Sequence, residues 1–71
     1  FNIYPNPTAD ILNIELKENL ILEKVLIYNT NGRLVKETSE KTINVSGLAK
    51  GIYNVQVITS KGKETQKVVV K

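Results

Sequence analysis

Apolar residues in this chain recur at every second position, the repeat of a strand with one buried face. Ile11-Leu-Asn-Ile-Glu-Leu16 sets Leu12, Ile14 and Leu16 on one side, and Asn13 and Glu15 on the other. Leu22 to Tyr28 is a further strand, apolar on both sides in its second half: Val25 and Ile27 on one, Leu26 and Tyr28 on the other. Leu34 to Glu37 follows, then Thr42 to Val45 with Ile43 and Val45 inward. The longest run, Ile52 to Thr59, places Tyr53, Val55 and Val57 together, and Glu64 to Val70 brings Val68 and Val70 into phase. A short apolar stretch, Phe1 to Tyr4, opens the chain. No helical period competes; Thr8 could cap one turn at Ala9-Asp10 and no more.

Turn residues separate these runs. Pro5-Asn6-Pro7 cannot donate to a ladder and stiffens the chain into an extended turn. Glu18-Asn19, Thr38 to Lys41, Ser46-Gly47 and Ser60-Lys61-Gly62-Lys63 are the other breaks. Asn31-Gly32 is the strongest hairpin signal, and predicts a two-residue turn with positive φ at both central residues. A two-residue loop pairs Tyr28 with Val35, and a three-residue loop would pair Ile27 with Val35; a one-residue slip inverts the faces. Six or seven short strands with turns between them predict an all-β, Ig-like antiparallel sandwich. Its predicted core is Leu12, Ile14, Ile27, Ile43, Leu48, Val55, Val57 and Val68. Tyr53, two residues past Gly51, stands where such sandwiches bond a tyrosine hydroxyl back to upstream backbone; a plain core tyrosine is the alternative.

Composition narrows the chemistry. Seventy-one residues make one domain, with no cysteine and no histidine. Disulfides, thiol nucleophiles, an imidazole base and a Cys/His metal or haem site are therefore excluded. The one aspartate, Asp10, follows the proline-rich turn and suits turn or cap chemistry. The glutamates sit in loops or alternate with apolar residues, and no glycine-rich loop opens a helix, so nucleotide motifs fail. Asn44-Val45-Ser46 matches a glycosylation triplet but lies in a predicted strand. The chain reads as a non-enzyme, with no catalytic, cofactor-binding or metal residues and no small-molecule substrate.

Net charge is +3. Lys61, Lys63, Lys67 and Lys71 share the end of the chain with a single acid, Glu64. They fit an edge hairpin guarded by lysine against edge-to-edge pairing, or a patch for an anionic partner. Phe1, Tyr4, Tyr28 and Tyr53 do not interleave with them as a nucleic-acid stacking platform requires. The chain opens on Phe1 without a charged-then-apolar leader or a membrane-length apolar run, and is expected to be a segment of a longer protein.

Four segments together carry a resemblance: Ile3-Tyr-Pro-Asn-Pro-Thr-Ala-Asp10, Val25-Leu-Ile-Tyr-Asn-Thr-Asn-Gly-Arg-Leu-Val35, Leu48-Ala-Lys-Gly-Ile-Tyr-Asn-Val55 and Lys67-Val-Val-Val-Lys71. In order and spacing they resemble the C-terminal sorting domain of the type IX (Por) secretion system, type A, over essentially residues 1–71. The family's motif positions fall on Pro5, Asn6, Pro7, Asp10, Gly32, Leu48, Gly51 and Tyr53, and its C-terminal signal on Lys67, Val68, Val69, Val70 and Lys71. Asn29 stands where the family often has Asp.

The resemblance implies an Ig-like β-sandwich that serves as an address on exported cargo of Bacteroidota-type bacteria. The cargo domain would precede it in the parent chain. It would reach the periplasm first and then the cell surface or medium. Its partners would be the outer-membrane translocon, and a sortase that removes the domain on surface attachment. Two other functions compete: an Ig-like accessory module for carbohydrate binding, which needs aromatics exposed on one face, and an adhesion module pairing through a sheet edge.

Overall fold

The computed structural model describes residues 2–4, 10–17 and 19–71. Seven strands follow one another: β1 (Asn2–Tyr4), β2 (Ile11–Glu15), β3 (Leu22–Tyr28), β4 (Leu34–Thr38), β5 (Thr42–Asn44), β6 (Gly51–Thr59) and β7 (Gly62–Val70). They form two antiparallel sheets, one ordered β1-β2-β5 and the other β4-β3-β6-β7.

The period of two builds the space between the sheets. The smaller sheet contributes Ile3, Leu12, Ile14 and Ile43, with Val45 just beyond its last strand. Val25, Ile27, Val55, Val57, Val68 and Val70 come from the larger sheet, joined by Tyr53. Leu48, expected inside, is only partly buried and packs on the rim of this cluster. It lies on the corner between β5 and β6, where no second sheet covers it fully. Leu16 is likewise a rim residue, because β2 stops at Glu15. On the outer surface Lys24 Nζ meets Glu37 Oε2 at 2.9 Å. The hydrogen bond that Lys24 donates to Glu37, then the charge of that carboxylate, raises the Lys24 pKa above the ordinary lysine value.

The β3–β4 turn differs from the expected primed hairpin. Among the described residues no non-glycine residue has positive φ, so Asn31 does not take the conformation that turn needs; Gly32 does, at φ 81°. The Gly32 N–H donates to the Asn29 carbonyl and the Asn29 N–H to the Arg33 carbonyl, both at 3.0 Å. This is the three-residue loop in which an ordinary turn is followed by a left-handed glycine. Asn29 Oδ1 stabilises it by accepting from the Asn31 and Arg33 N–H groups, each at 3.0 Å. Tyr28 pairs with Leu34, and the ladder then shifts so that Ile27 opposes Lys36. Val35 is the extra residue of a bulge and packs against the core, so neither expected pairing of Val35 forms.

A Cβ on Gly32 would meet nothing within 4 Å, so substitution there acts through the backbone alone. Gly32→Val is expected to cost about 1–2 kcal/mol, and Gly32→Asn less, because asparagine tolerates left-handed φ. Equal losses of melting temperature in the two variants would contradict this origin.

The second hairpin closes more tightly than its sequence suggested. Thr59 pairs with Gly62, leaving Ser60-Lys61 as the loop. Thr59 Oγ1 donates to the Gly62 carbonyl at 3.1 Å and accepts from the Lys61 N–H at 3.2 Å. That local closure lets β7 begin two residues before Glu64.

Candidate functional site

Pairing in the larger sheet carries distant sequence segments to one end. Tyr28 on β3 opposes Asn54 on β6, and Asn54 opposes Lys67 on β7. Past this row, in one direction, lie the turn bearing Gly32, the start of β6 and the end of β7. Gly51 pairs with Val70, Ile52 with Val69 and Tyr53 with Val68. The Leu48–Tyr53 segment and the Lys67–Lys71 segment, which the sequence separates, are thus cross-strand neighbours.

The corner leading into β6 is tied at several points. The Leu48 N–H donates to the Val45 carbonyl at 3.0 Å. Asn44 Oδ1 accepts from the Ser46 N–H and hydroxyl, at 2.9 and 2.7 Å, so the glycosylation triplet is engaged in its own turn. The Tyr53 hydroxyl donates to the Ala49 carbonyl, forming the expected tyrosine corner. Gly51 has φ 153° with open space around it, so glycine there serves the backbone. Asp10 joins through its main chain: its carbonyl accepts from the Val45 N–H at 2.7 Å.

Asp10, Gly32, Leu48, Gly51, Tyr53 and Lys67 to Lys71 therefore gather at one end of the sandwich. Pro5, Asn6 and Pro7 lie outside the described residues, as does the proposed cap at Thr8. Within the cluster the roles divide. Tyr53, Val68 and Val70 are buried, while Asp10, Gly32, Lys67 and Lys71 are exposed. Arg33 and Lys50 add two exposed cations to the same end.

Two exposed apolar residues of the larger sheet also stand there, and sequence reasoning did not single them out. Ile52 is 45% and Leu34 44% exposed on the outer face of the larger sheet. Ile52 was legible in principle, because it is out of phase with Tyr53, Val55 and Val57. Leu34 could be placed only once the bulge was known. The surface that results is apolar at its centre and cationic around it. Such a surface can bind a protein partner of opposite charge, burying Ile52 and steering by the rim.

The profile of the family described as the secretion system C-terminal sorting domain matches residues 2–71. The chain belongs to this family. Beta-agarase D of Zobellia galactanivorans is 34% identical over 71 residues, covering 96% of this chain and 14% of that protein. Ulvan lyase NLR42 of Nonlabens ulvanivorans is 39% identical over 69 residues, covering 90% of this chain and 13% of that protein. The sorting domain thus spans a small part of the length of either relative. It is an address for type IX secretion, and the protein that bears it is exported. The all-β, two-sheet architecture is the sandwich the family resemblance implied. The side chain of Asn29, which stands where the resemblance expects a frequent Asp, accepts from the Asn31 and Arg33 N–H groups through Oδ1, a role either residue can fill.

Tyr53→Phe tests the corner. It removes the donor to the Ala49 carbonyl and is expected to cost about 0.5–1.5 kcal/mol. In a domain of this size that is a drop in melting temperature of roughly 4–8 °C per kcal/mol. An unchanged melting temperature would mean that the hydroxyl bond contributes nothing to the corner.

Proposed function

We propose that residues 1–71 act as one sorting domain without catalysis of its own. The outer-membrane translocon and the sortase of the type IX system read it at the end of the sandwich where Asp10, Gly32, Leu48, Gly51, Tyr53 and Lys67 to Lys71 meet. The gathering of these separated positions supports the reading. The β6–β7 register joins Gly51 and Tyr53 to Val70 and Val68, and the β3–β6 pairing brings the Gly32 turn to the same end. The Val45–Asp10 main-chain bond adds Asp10. Buried members of the set, Tyr53, Val68 and Val70, hold the shape. Exposed members, Lys67 and Lys71 with Arg33, Lys50 and Ile52 beside them, offer charge and apolar area to a receptor. Pro5, Asn6 and Pro7 are proposed as part of the same signal. The cargo domain precedes this one in the parent chain, passes through the periplasm and is released to the surface.

The test is a fusion of residues 1–71 to a periplasmic reporter in a type IX-competent cell, scored for surface display. Display that is lost with Lys67→Glu/Lys71→Glu, in a variant that melts normally, supports the reading. Normal display of that folded variant refutes it. The carbohydrate-binding alternative is not favoured: of its candidates Phe1, Tyr4 and Tyr28, the first lies outside the described residues, and Tyr4 on β1 and Tyr28 on β3 belong to different sheets.

A further inference from the structure

At the opposite end of the sandwich, a cleft of about 320 Å3 opens beside the β6–β7 turn. Its lining includes Lys17, Leu20, Val57, Lys61, Lys63 and Glu64. Main-chain contacts fix its walls. The Leu20 N–H donates to the Lys17 carbonyl at 3.0 Å, which closes the loop before β3. The Ser60 N–H donates to the Ile21 carbonyl at 2.9 Å, and the Ile21 N–H to Ser60 Oγ at 3.2 Å. This reciprocal pair clamps the loop onto the β6–β7 turn, whose own closure through Thr59 sets the position of Lys61.

The floor is apolar, from Leu20 and Val57, and among the described lining residues three lysines stand against one acid, Glu64. No described carboxylate forms an ion pair with Lys17, Lys61 or Lys63; the Lys24–Glu37 pair lies on another part of the molecule. Lys63 opposes Ile58 on the outer face, but β7 is the sheet edge, and a four-carbon stem can reach round it. Cationic groups converging on a small, preformed, partly apolar cleft lower the cost of holding an anion, because fewer water contacts must be replaced at each charge.

We propose that this cleft is a binding site for a phosphate group, held by Lys17, Lys61 and Lys63. The group comes either as a free ion or on a lipid headgroup. The site is separate from the end proposed for translocon recognition, so either can fail without the other.

The experiment is an amide NMR titration of the 71-residue chain, first with inorganic phosphate and then with phosphatidylglycerol vesicles against phosphatidylcholine vesicles. Saturable shifts confined to Lys17, Leu20 and Lys61 to Glu64 are expected, weakening as sodium chloride is raised. Response to phosphate identifies a free-ion site, and response to phosphatidylglycerol vesicles alone identifies a headgroup site. Lys17→Glu/Lys61→Glu should weaken binding at least about tenfold, and Glu64→Gln should tighten it severalfold. Lys50→Glu/Lys71→Glu carries the same charge change at the far end and should leave binding within about twofold. All of these substitutions are at exposed positions and should leave melting unchanged. Absence of localised shifts with every probe, or an equal loss in the far-end variant, overturns the proposal.

Discussion

Removal of Val68 to Lys71 is expected to abolish cooperative melting of the domain, not merely its export. From sequence this end carries two readings: a lysine-flanked valine signal that contributes less to the fold than to export, and a strand end whose Val68 and Val70 fill the core. Burial favours a structural role, since Val68 is 0% and Val70 3% exposed. Fully burying a valine is worth about 1.5–3 kcal/mol, so losing both removes roughly 3–6 kcal/mol of burial. The same cut leaves Gly51, Ile52 and Tyr53 without their ladder partners on β7. A chain of this length is expected to hold only about 4–11 kcal/mol in total. The measurement is thermal unfolding by far-ultraviolet circular dichroism. A truncated chain with an intact sigmoidal transition near the parent's would show that these valines are dispensable. Because truncation confounds folding with recognition, the exposed lysine reversals are the variants that report on recognition.

Ile27→Ala is expected to cost about 2–5 kcal/mol, the range for deleting a large aliphatic group from a packed core. Ile27 is 1% exposed and lies one residue from the end of β3, with β4 on one side and β6 on the other. Neighbours held in two ladders cannot collapse freely into the space left, which places the cost toward the upper part of the range. Ile52→Ala serves as the control. Its side chain is 45% exposed, and the change should stay within about 0.5 kcal/mol. Denaturant midpoints of the two variants, measured side by side, check the claim. Similar midpoints would mean that the two faces of the larger sheet were assigned wrongly.

Strands were legible where alternation was strict. Val55, Val57 and Val68 needed only their spacing to be placed, since one register buries all of them and its neighbour buries none. Asn31-Gly32 located the turn correctly but not its type. The same pair suits a two-residue loop with both residues left-handed and a three-residue loop with only the glycine so. The choice was made by Asn29, whose side-chain oxygen accepts two N–H groups of the longer loop. The bulge at Val35 was beyond local reading, because it is favoured by burial of that one side chain against the other sheet.

Leu48 shows a further limit. Its character says core, but its burial depends on how a corner leaves the sandwich. The meeting of Asp10, Gly32, Gly51 and Val70 at one end follows from pairings across long stretches of chain, which no window of sequence contains. Lys17 joins Lys61 and Lys63 for the same reason. Two loops far apart in sequence are clamped through Ile21 and Ser60.

The place of β7 in the ladder has a consequence for biosynthesis. Valines close to the end of these residues complete a core whose other members were made earlier, and β6 has β7 as its partner on that side. A ribosome product cut short before Val68 therefore leaves Gly51, Ile52 and Tyr53 without ladder partners and the core without Val68 and Val70. If the address is read only when folded, then the act of folding certifies that the chain was translated through this point. On that condition, the stability contributed by one strand would couple export to complete translation through Val70.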